Sequence, residues 1–195
     1  MATITRAEQK SETRRRILDA AESVFTEKGI TATTAEVATA AGVSHGSVFV
    51  HFPTLANLLT ALAVRFGTRL GDMLHTLSEG NSVEDFLYAH LSILGEDEDL
   101  YLFFLRNRKL LPPDTAADWL AMQSETAFHF AKMMQREIDA GRVKDVPVYF
   151  LFNSWMGIVH YYLENRDLFA PEGNVFARRK SELISSYLHL IQKEI

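Results

Sequence analysis

The sequence predicts an all-α protein. Nearly every long segment places apolar residues three or four positions apart, which is the spacing of one face of an α-helix. No segment shows the alternation of apolar and polar residues between turn signals that is typical of a strand. A hydrophobic fraction of 47% with 23% charged residues is ordinary for a globular chain. We therefore expect packed helices throughout.

The first two helices are predicted from their ends. Residues 11–28 carry an apolar stripe that stops at Gly29, a residue suited to the left-handed cap of a helix C-terminus. Thr33 and Glu36 have the spacing of a capping box, which predicts that a second helix starts there. Gly42 ends this second helix.

The remaining helices follow from caps, prolines and glycines. Ser44 can cap a short third helix, and Pro53 can open a fourth that runs toward residue 77. Five further helices are predicted at 82–95, 98–111, 116–140, 147–167 and 175–194. Near residue 52, short helices rich in alanine and threonine give way to long ones rich in aromatic residues. This change predicts two domains, 1–52 and 53–195.

Charge and composition restrict where and how the protein acts. A net charge of −5 argues against a protein that coats nucleic acid with its whole surface, so any DNA contact must be local. The sequence has no run of about 18 apolar residues and no signal-peptide pattern at its N-terminus. The absence of cysteine fits a reducing compartment. We expect a cytoplasmic protein.

The two short helices joined by Ala-Gly-Val-Ser match a helix-turn-helix, whose second helix lies in the DNA major groove. A helical hairpin inside any bundle can end in the same residues, so the corner alone leaves both interpretations open. The second helix, HGSVFVH, has no lysine or arginine. The nearest cationic run is Arg14, Arg15 and Arg16, which either contacts phosphates or is simply a solvated face.

The segment from Arg14 to Leu59 resembles the N-terminal domain of the TetR family of bacterial transcriptional regulators. The resemblance is carried by ILDAAESVFTEKG and by TTAEVATAAGVSHGSVFVHFPTLANLL. It implies a ligand-responsive, DNA-binding dimer, usually a repressor. Together with the arginine run, it implies DNA contacts at Arg14, Arg15, Arg16, Thr33, Thr34, Ser44, His45, Gly46, Ser47, Phe49, His51 and Thr54.

Three positions depart from the family pattern. Phe49 stands where the family usually has tyrosine, and Val50 replaces a residue that is often basic. Leu55 replaces a lysine that is common at the start of the fourth helix. These departures motivate an alternative function, a dimeric helical adaptor whose helix-turn-helix has lost specific DNA binding.

The last two predicted helices are candidates for a dimer interface. The helix at 147–167 is apolar on nearly every side and must be covered all round. The helix at 175–194 adds an apolar stripe that extends from Phe176 to Ile195. We predict that both helices join a four-helix homodimer interface, with the filling of a monomer core as the alternative.

Polar residues on otherwise apolar helix faces predict a ligand pocket. His90, Gln123 and Asn153 occupy such positions, and each is either satisfied in the core or faces a cavity. The resemblance to the TetR family also implies a pocket, here for a small apolar or amphipathic effector. The predicted lining residues are Phe66, Leu70, His90, Phe103, Phe104, Trp119, Gln123, Phe130, Met134 and Asn153.

An enzyme is not expected. The sequence has no glycine-rich phosphate loop, no Gly-x-Ser-x-Gly elbow and no His-Glu-x-x-His pair. His160 and Glu164 share a helix face, but two ligands without a third are weak evidence for a metal site. We predict neither a cofactor nor a metal.

Overall fold

The structure, a computed structural model, describes residues 5–77 and 82–193. Within these residues the chain is helical, and its β-structure is limited to an isolated bridge between Val143 and Gln192. The predicted all-α class is confirmed. The helices of the described residues are α1 Arg6–Lys28, α2 Thr34–Ala41, α3 His45–His51, α4 Leu55–Thr76, α5 Val83–Glu96, α6 Glu98–Asn107, α7 Pro113–Asp139, α8 Val148–Glu164, α9 Arg166–Phe169 and α10 Val175–Ile191.

Two N-terminal boundaries differ from the prediction because of capping residues. Helix α1 begins at Arg6 rather than near residue 11, because Thr5 and Glu8 form a capping box. Helix α4 begins at Leu55, and Pro53 precedes it instead of opening it. The Thr54 hydroxyl oxygen accepts the Asn57 N–H at 3.0 Å and so caps the start of this helix.

In the C-terminal half, α6, α8 and α10 are shorter than predicted, whereas α7 is longer. Helix α6 ends at Asn107, and α7 begins earlier than expected, at Pro113, because proline is well tolerated in a first helical turn. The helix predicted at 147–167 ends at Glu164 and is followed by the short α9. Helix α10 ends at Ile191, and Ile195 lies outside the described residues.

The described residues form two compact units. One contains residues 5–66 together with Phe103–Trp119. Helices α1 to α3 pack there with the first part of α4 around a core that includes Phe25, Val48 and Phe52. The domain boundary predicted at residue 52 stays a prediction, since the compact unit also takes in the first part of α4.

The second unit contains Gly67–Leu102 and the described residues from Leu120 onward. The buried indole of Trp155 lies at its centre, with the Tyr187 ring centroid 5.0 Å away. No single helix among the described residues is long and apolar enough to cross a membrane. Helices α3 and α4, bent by 61° between them, meet that test only as a pair and only by length and composition.

Candidate functional site

The turn between α2 and α3 has the geometry of a helix-turn-helix corner. Gly42 adopts φ 62° and ψ 38°, a left-handed conformation that glycine reaches without strain. The Val43 N–H donates to the Ala38 carbonyl at 3.0 Å, which closes the end of α2. Ser44 then caps α3 by accepting the Ser47 N–H at 3.1 Å. Local residues therefore fix where α3 starts.

Three of the predicted DNA-contacting side chains touch one another on the exposed side of this corner. The Thr34 hydroxyl lies 2.9 Å from His45 Nε2. The His45 ring meets the Phe49 ring edge-on, with 4.8 Å between centroids. Phe49 is 43% exposed and its neighbour Val50 is 73% exposed. The corner thus presents a hydroxyl, an imidazole and an aromatic ring to the outside.

Two other predicted hydroxyls cap helices in the free protein. Thr33 accepts the Glu36 N–H and donates its hydroxyl hydrogen to the Glu36 carboxylate at 2.9 Å. Thr54 accepts the Asn57 N–H and donates to Asn57 Oδ1 at 2.8 Å. Each hydroxyl oxygen retains only one further acceptor position. Their contact with DNA stays a prediction.

Arg15 is bound by carboxylates of its own helix. Its guanidinium lies 2.7 Å from Glu12 Oε1 and 3.3 Å from Asp19 Oδ2. The hydrogen bond to Glu12 is the main cause of the raised pKa of Arg15. A phosphate at this site would compete with two carboxylates already present.

Arg14 and Arg16 instead contact the helix-turn-helix. The guanidinium carbon of Arg14 lies 4.8 Å from the centroid of the Phe52 ring, within cation–π distance. Arg16 donates to the Ala41 carbonyl oxygen at 2.6 Å. The three arginines, predicted as one cationic run, therefore have three different environments.

His51 has a lowered pKa. Partial burial is the largest cause, and the positive charges of Lys10 and Arg14 add to it. The imidazole is therefore neutral at neutral pH in the free protein. A DNA phosphate beside it would favour the protonated form and raise its pKa.

A cavity of about 330 Å³ lies within the second unit. Its size is at the lower end of the range for small-molecule sites. Its lining residues come from α4 to α8 and are Leu70, His90, Tyr101, Met122, Gln123, Thr126, Phe152, Asn153, Met156, Gly157 and His160.

The structure brings only part of the predicted ligand-binding set to this cavity. Leu70, His90, Gln123 and Asn153 lie in its lining. Phe66, Phe103, Phe104 and Trp119 lie outside it in the first unit, where Phe104 and Trp119 stack with centroids 5.3 Å apart. Phe130 and Met134 are fully buried in the second unit, outside the lining.

The polar part of the cavity lining contains three residues that the sequence did not single out as lining: Tyr101, Thr126 and His160. The Tyr101 hydroxyl lies 2.8 Å from His160 Nε2 and also bonds to the Gln123 side chain. Burial raises the pKa of Tyr101, and the bond to Gln123 offsets this only in part. His160 was visible in the sequence as a polar residue on apolar α8. Tyr101 gave no such signal, because it lies within the aromatic run of α6.

His90 presents a defined tautomer. The Trp155 indole N–H donates to His90 Nδ1 at 3.2 Å, and an indole nitrogen can only donate. Burial, helped by nearby His160, lowers the pKa of His90 to about 3. The ring is therefore neutral, with its proton on Nε2.

A more open groove of about 480 Å³ lies between α7 and α8. It shares Gln123, Phe152 and Asn153 with the cavity, so these side chains form a common wall. Phe128 and Tyr149 line the groove and are exposed. Among residues 5–77 and 82–193, no three histidine, aspartate or glutamate side chains are grouped closely enough to hold a metal ion.

Comparison with known sequences shows which family the helix-turn-helix resembles. Residues 17–62 match the family model of bacterial regulatory proteins, tetR family. The HTH-type transcriptional repressor Rv3405c of Mycobacterium tuberculosis is 36% identical over 80 residues, 40% of this chain and 43% of that protein. The HTH-type transcriptional regulator TtgR of Pseudomonas putida is 43% identical over 56 residues, 28% of this chain and 27% of that protein. The matches thus span less than half the length of these relatives.

Solved structures share the fold over nearly the whole chain. The TetR family regulator PfmR from Thermus thermophilus has a TM-score of 0.76 at 21% identity, covering 90% of this chain and 96% of that one. The ketosteroid regulator KstR2 of Mycobacterium tuberculosis has a TM-score of 0.79 at 16% identity, covering 93% and 95%. The geometry of the corner and the matched residues together identify a helix-turn-helix domain in the N-terminal part of the chain. Residues 17–62 therefore resemble the N-terminal domain of the tetR family of bacterial regulatory proteins.

Proposed function

We propose that the protein is a ligand-responsive transcriptional regulator, a cytoplasmic homodimer that represses transcription until a small effector releases it from its operator. The observation that carries the proposal is the exposed surface of α3 on a helix-turn-helix corner, inside the segment that matches the tetR family model. Repression is supported by the relative Rv3405c, which is named a repressor.

The surface of α3 suits close approach by DNA. Gly46 lies in the first turn of α3, where an added Cβ would have no protein atom within 4 Å. The fold therefore does not require glycine there, whereas a base edge or phosphate can approach a residue without a side chain closely. Lys10 and Arg14 supply positive charge near His51, at the end of the same helix.

The dimer is supported by the uncovered side of α8. Its inner side is buried through Leu151, Trp155 and Val159, while Tyr149 remains 71% exposed and Tyr161 is also exposed. A second copy that packs α8 and α10 against the same helices would cover these rings. The α3 helices of the two copies, about 34 Å apart, could then enter successive major grooves of the DNA.

An effector site is supported by the cavity in the second unit. The same fold holds stearoyl-CoA in FadR from Bacillus subtilis and choline in a putative regulator from Saccharomonospora viridis. Leu70 of α4 lines the cavity, and α4 begins at Leu55, directly after the helix-turn-helix. A ligand that moves this helix could therefore reorient α3.

The test is selection of fragments from genomic DNA at low salt without ligand, followed by affinity measurement by fluorescence anisotropy. Phe49→Ala should weaken binding to the selected fragment by at least about tenfold, roughly 1.4 kcal/mol. Leu168→Ala removes another exposed apolar side chain, on α9, and should leave affinity unchanged. If no fragment is enriched, the DNA-binding function is wrong and the adaptor replaces it.

A further inference from the structure

Building on the proposed function, we infer that the cavity binds an uncharged molecule of roughly ten to fifteen non-hydrogen atoms, with an apolar body and one hydroxyl or carbonyl end. This inference specifies the chemical class of the effector. It follows from the volume of the cavity, the absence of aspartate, glutamate, lysine and arginine from its lining, and the grouping of its polar side chains.

The volume of the cavity limits the size of the ligand. A cavity of about 330 Å³ holds the equivalent of about eleven water molecules at the roughly 30 Å³ that each occupies in the liquid. Atoms bonded to one another occupy somewhat less space each, which raises the upper limit to about fifteen. A molecule as large as an acyl-coenzyme A exceeds this volume several times over.

The side chains that line the cavity determine which ligand charge it accepts. None of the side chains that line the cavity is an aspartate, glutamate, lysine or arginine. His90 is neutral, because burial lowers its pKa to about 3. A carboxylate or ammonium placed against this lining without an opposite charge is disfavoured. A cationic ligand would therefore find no counter-charge in this lining, and an anionic ligand would find only the imidazole of His160, which already bonds to the Tyr101 hydroxyl.

The polar groups occupy one region. Tyr101 bonds to both His160 and Gln123, and His160 is near enough to His90 to lower its pKa. The hydroxyl, amide and imidazole groups of this region can donate hydrogen bonds to a single ligand oxygen or accept one from it. Apolar side chains that include Leu70, Met122 and Met156 complete the lining and suit a hydrocarbon body.

The experiment measures binding to the free protein by isothermal titration calorimetry with defined probes. The neutral set is biphenyl-4-ol, 2-naphthol and decan-1-ol, and the charged set is biphenyl-4-carboxylate and naphthyl-2-methylammonium. Biphenyl is the probe without a polar end. At least one neutral hydroxyl probe should bind at least about tenfold more tightly than every charged probe and several-fold more tightly than biphenyl. Equal or tighter binding of a charged probe, or no binding by any neutral probe, would overturn the inference.

Variants locate the binding. Gly157 lines the cavity, and an added Cβ there meets no atom within 4 Å. Gly157→Leu should therefore fill part of the cavity and weaken the binding of the neutral probe at least about tenfold. Ser154→Leu makes a similar change one turn away on α8, outside the lining, and should leave affinity unchanged. Equal effects of the two variants would contradict binding in this cavity.

Removal of the polar groups tests the orientation of the ligand. Tyr101→Phe should reduce the ratio of the affinities for biphenyl-4-ol and biphenyl to about one. Gln123→Leu tests the same point if the first variant does not fold. A preference unchanged in the folded variants would contradict the role of this region. Because no DNA is present, failure of DNA binding would remove the proposed function and leave the inferred ligand class standing.

Discussion

The Arg16 guanidinium donates a hydrogen bond of 2.6 Å to the carbonyl oxygen of Ala41, the last residue of α2. Carbonyls at a helix C-terminus lack partners within the helix and carry partial negative charge. Arg16 therefore joins α1 to the corner of the helix-turn-helix. One of the three arginines predicted to bind phosphate already has a structural function in the free protein.

Arg16→Ala should destabilise the protein. The variant leaves the Ala41 carbonyl without its charged donor, and we expect a loss of about 1–2 kcal/mol in the free energy of unfolding. Arg15→Ala, which breaks only exposed ion pairs within α1, should change it much less. Urea denaturation measures both. An equal loss in the two variants would show that the Ala41 bond contributes nothing specific.

Arg14 and Arg15 should differ in their effect on salt dependence. Each phosphate neutralised adds about −0.9 to the slope of log affinity against log salt. Arg14 lies against Phe52 beside α3, whereas Arg15 is held by Glu12 and Asp19. Arg14→Ala should flatten the slope by about one such unit and Arg15→Ala should not. The triple alanine variant should show the same flattening, and an unchanged slope there would remove the whole run from the DNA interface.

Leu55→Lys should tighten binding to specific and random DNA alike. Leu55 is half-buried at the start of α4, and a lysine there can extend its ammonium group to solvent and to phosphate. Phosphate contacts position a protein on DNA without distinguishing sequences. The measurement is anisotropy with operator and scrambled duplexes. Leu55→Met keeps the volume without the charge and should match the wild-type protein, while unchanged affinity of the lysine variant would place position 55 away from the backbone.

The helix-turn-helix could be predicted from the sequence because its signals are local. Gly42 and Ser44 fix the turn through their own conformation and hydrogen bonds, and the structure places α2 and α3 where those residues predict them. The start of α1 was also encoded locally, in the capping box of Thr5 and Glu8, but the apolar stripe alone pointed to a later start.

The cavity could be predicted only in part because its lining depends on tertiary packing. His90, Gln123 and Asn153 signalled it as polar residues on apolar faces. Trp119 carries no such distinction, and a buried aromatic side chain is equally suited to a pocket or a core. The structure places it against Phe104, in the core of the first unit.

The free energy of unfolding should fall as the pH decreases from about 6.5 toward 3, because of His90. Its pKa is about 3 in the folded protein and near the ordinary 6.5 in the unfolded chain. Between these values the unfolded chain binds a proton that the folded protein excludes. The contribution of the neutral His90 to the free energy of unfolding is therefore fully present above pH 6.5. Below pH 6.5 it is lost at up to about 1.4 kcal/mol per pH unit.

Denaturation at several pH values tests the role of His90. His90→Gln retains an oxygen that can accept the Trp155 N–H and should reduce the pH dependence by the contribution of one proton. His189→Gln changes an exposed histidine of α10 and should leave most of the dependence in place. Identical curves for the His90 variant and the wild-type protein would show that His90 is not the group responsible.

Ligand and DNA should weaken each other by the same factor. Helix α4 is continuous from Leu55 to Thr76, and Leu70 lines the cavity, so a ligand that displaces Leu70 also acts on a helix that starts at the helix-turn-helix. Coupling of this kind typically amounts to about 1–3 kcal/mol, or about 5- to 150-fold in affinity, and thermodynamic linkage makes it reciprocal.

The measurement is titration of the neutral probe that binds most tightly, with and without operator DNA, and of DNA with and without the probe. Tyr101→Phe changes a buried lining residue on α6, away from α8 and α10, and should weaken the effect of the probe on DNA affinity while DNA affinity without the probe stays the same. Equal probe affinity in the presence and absence of DNA would leave the cavity without a role in regulation.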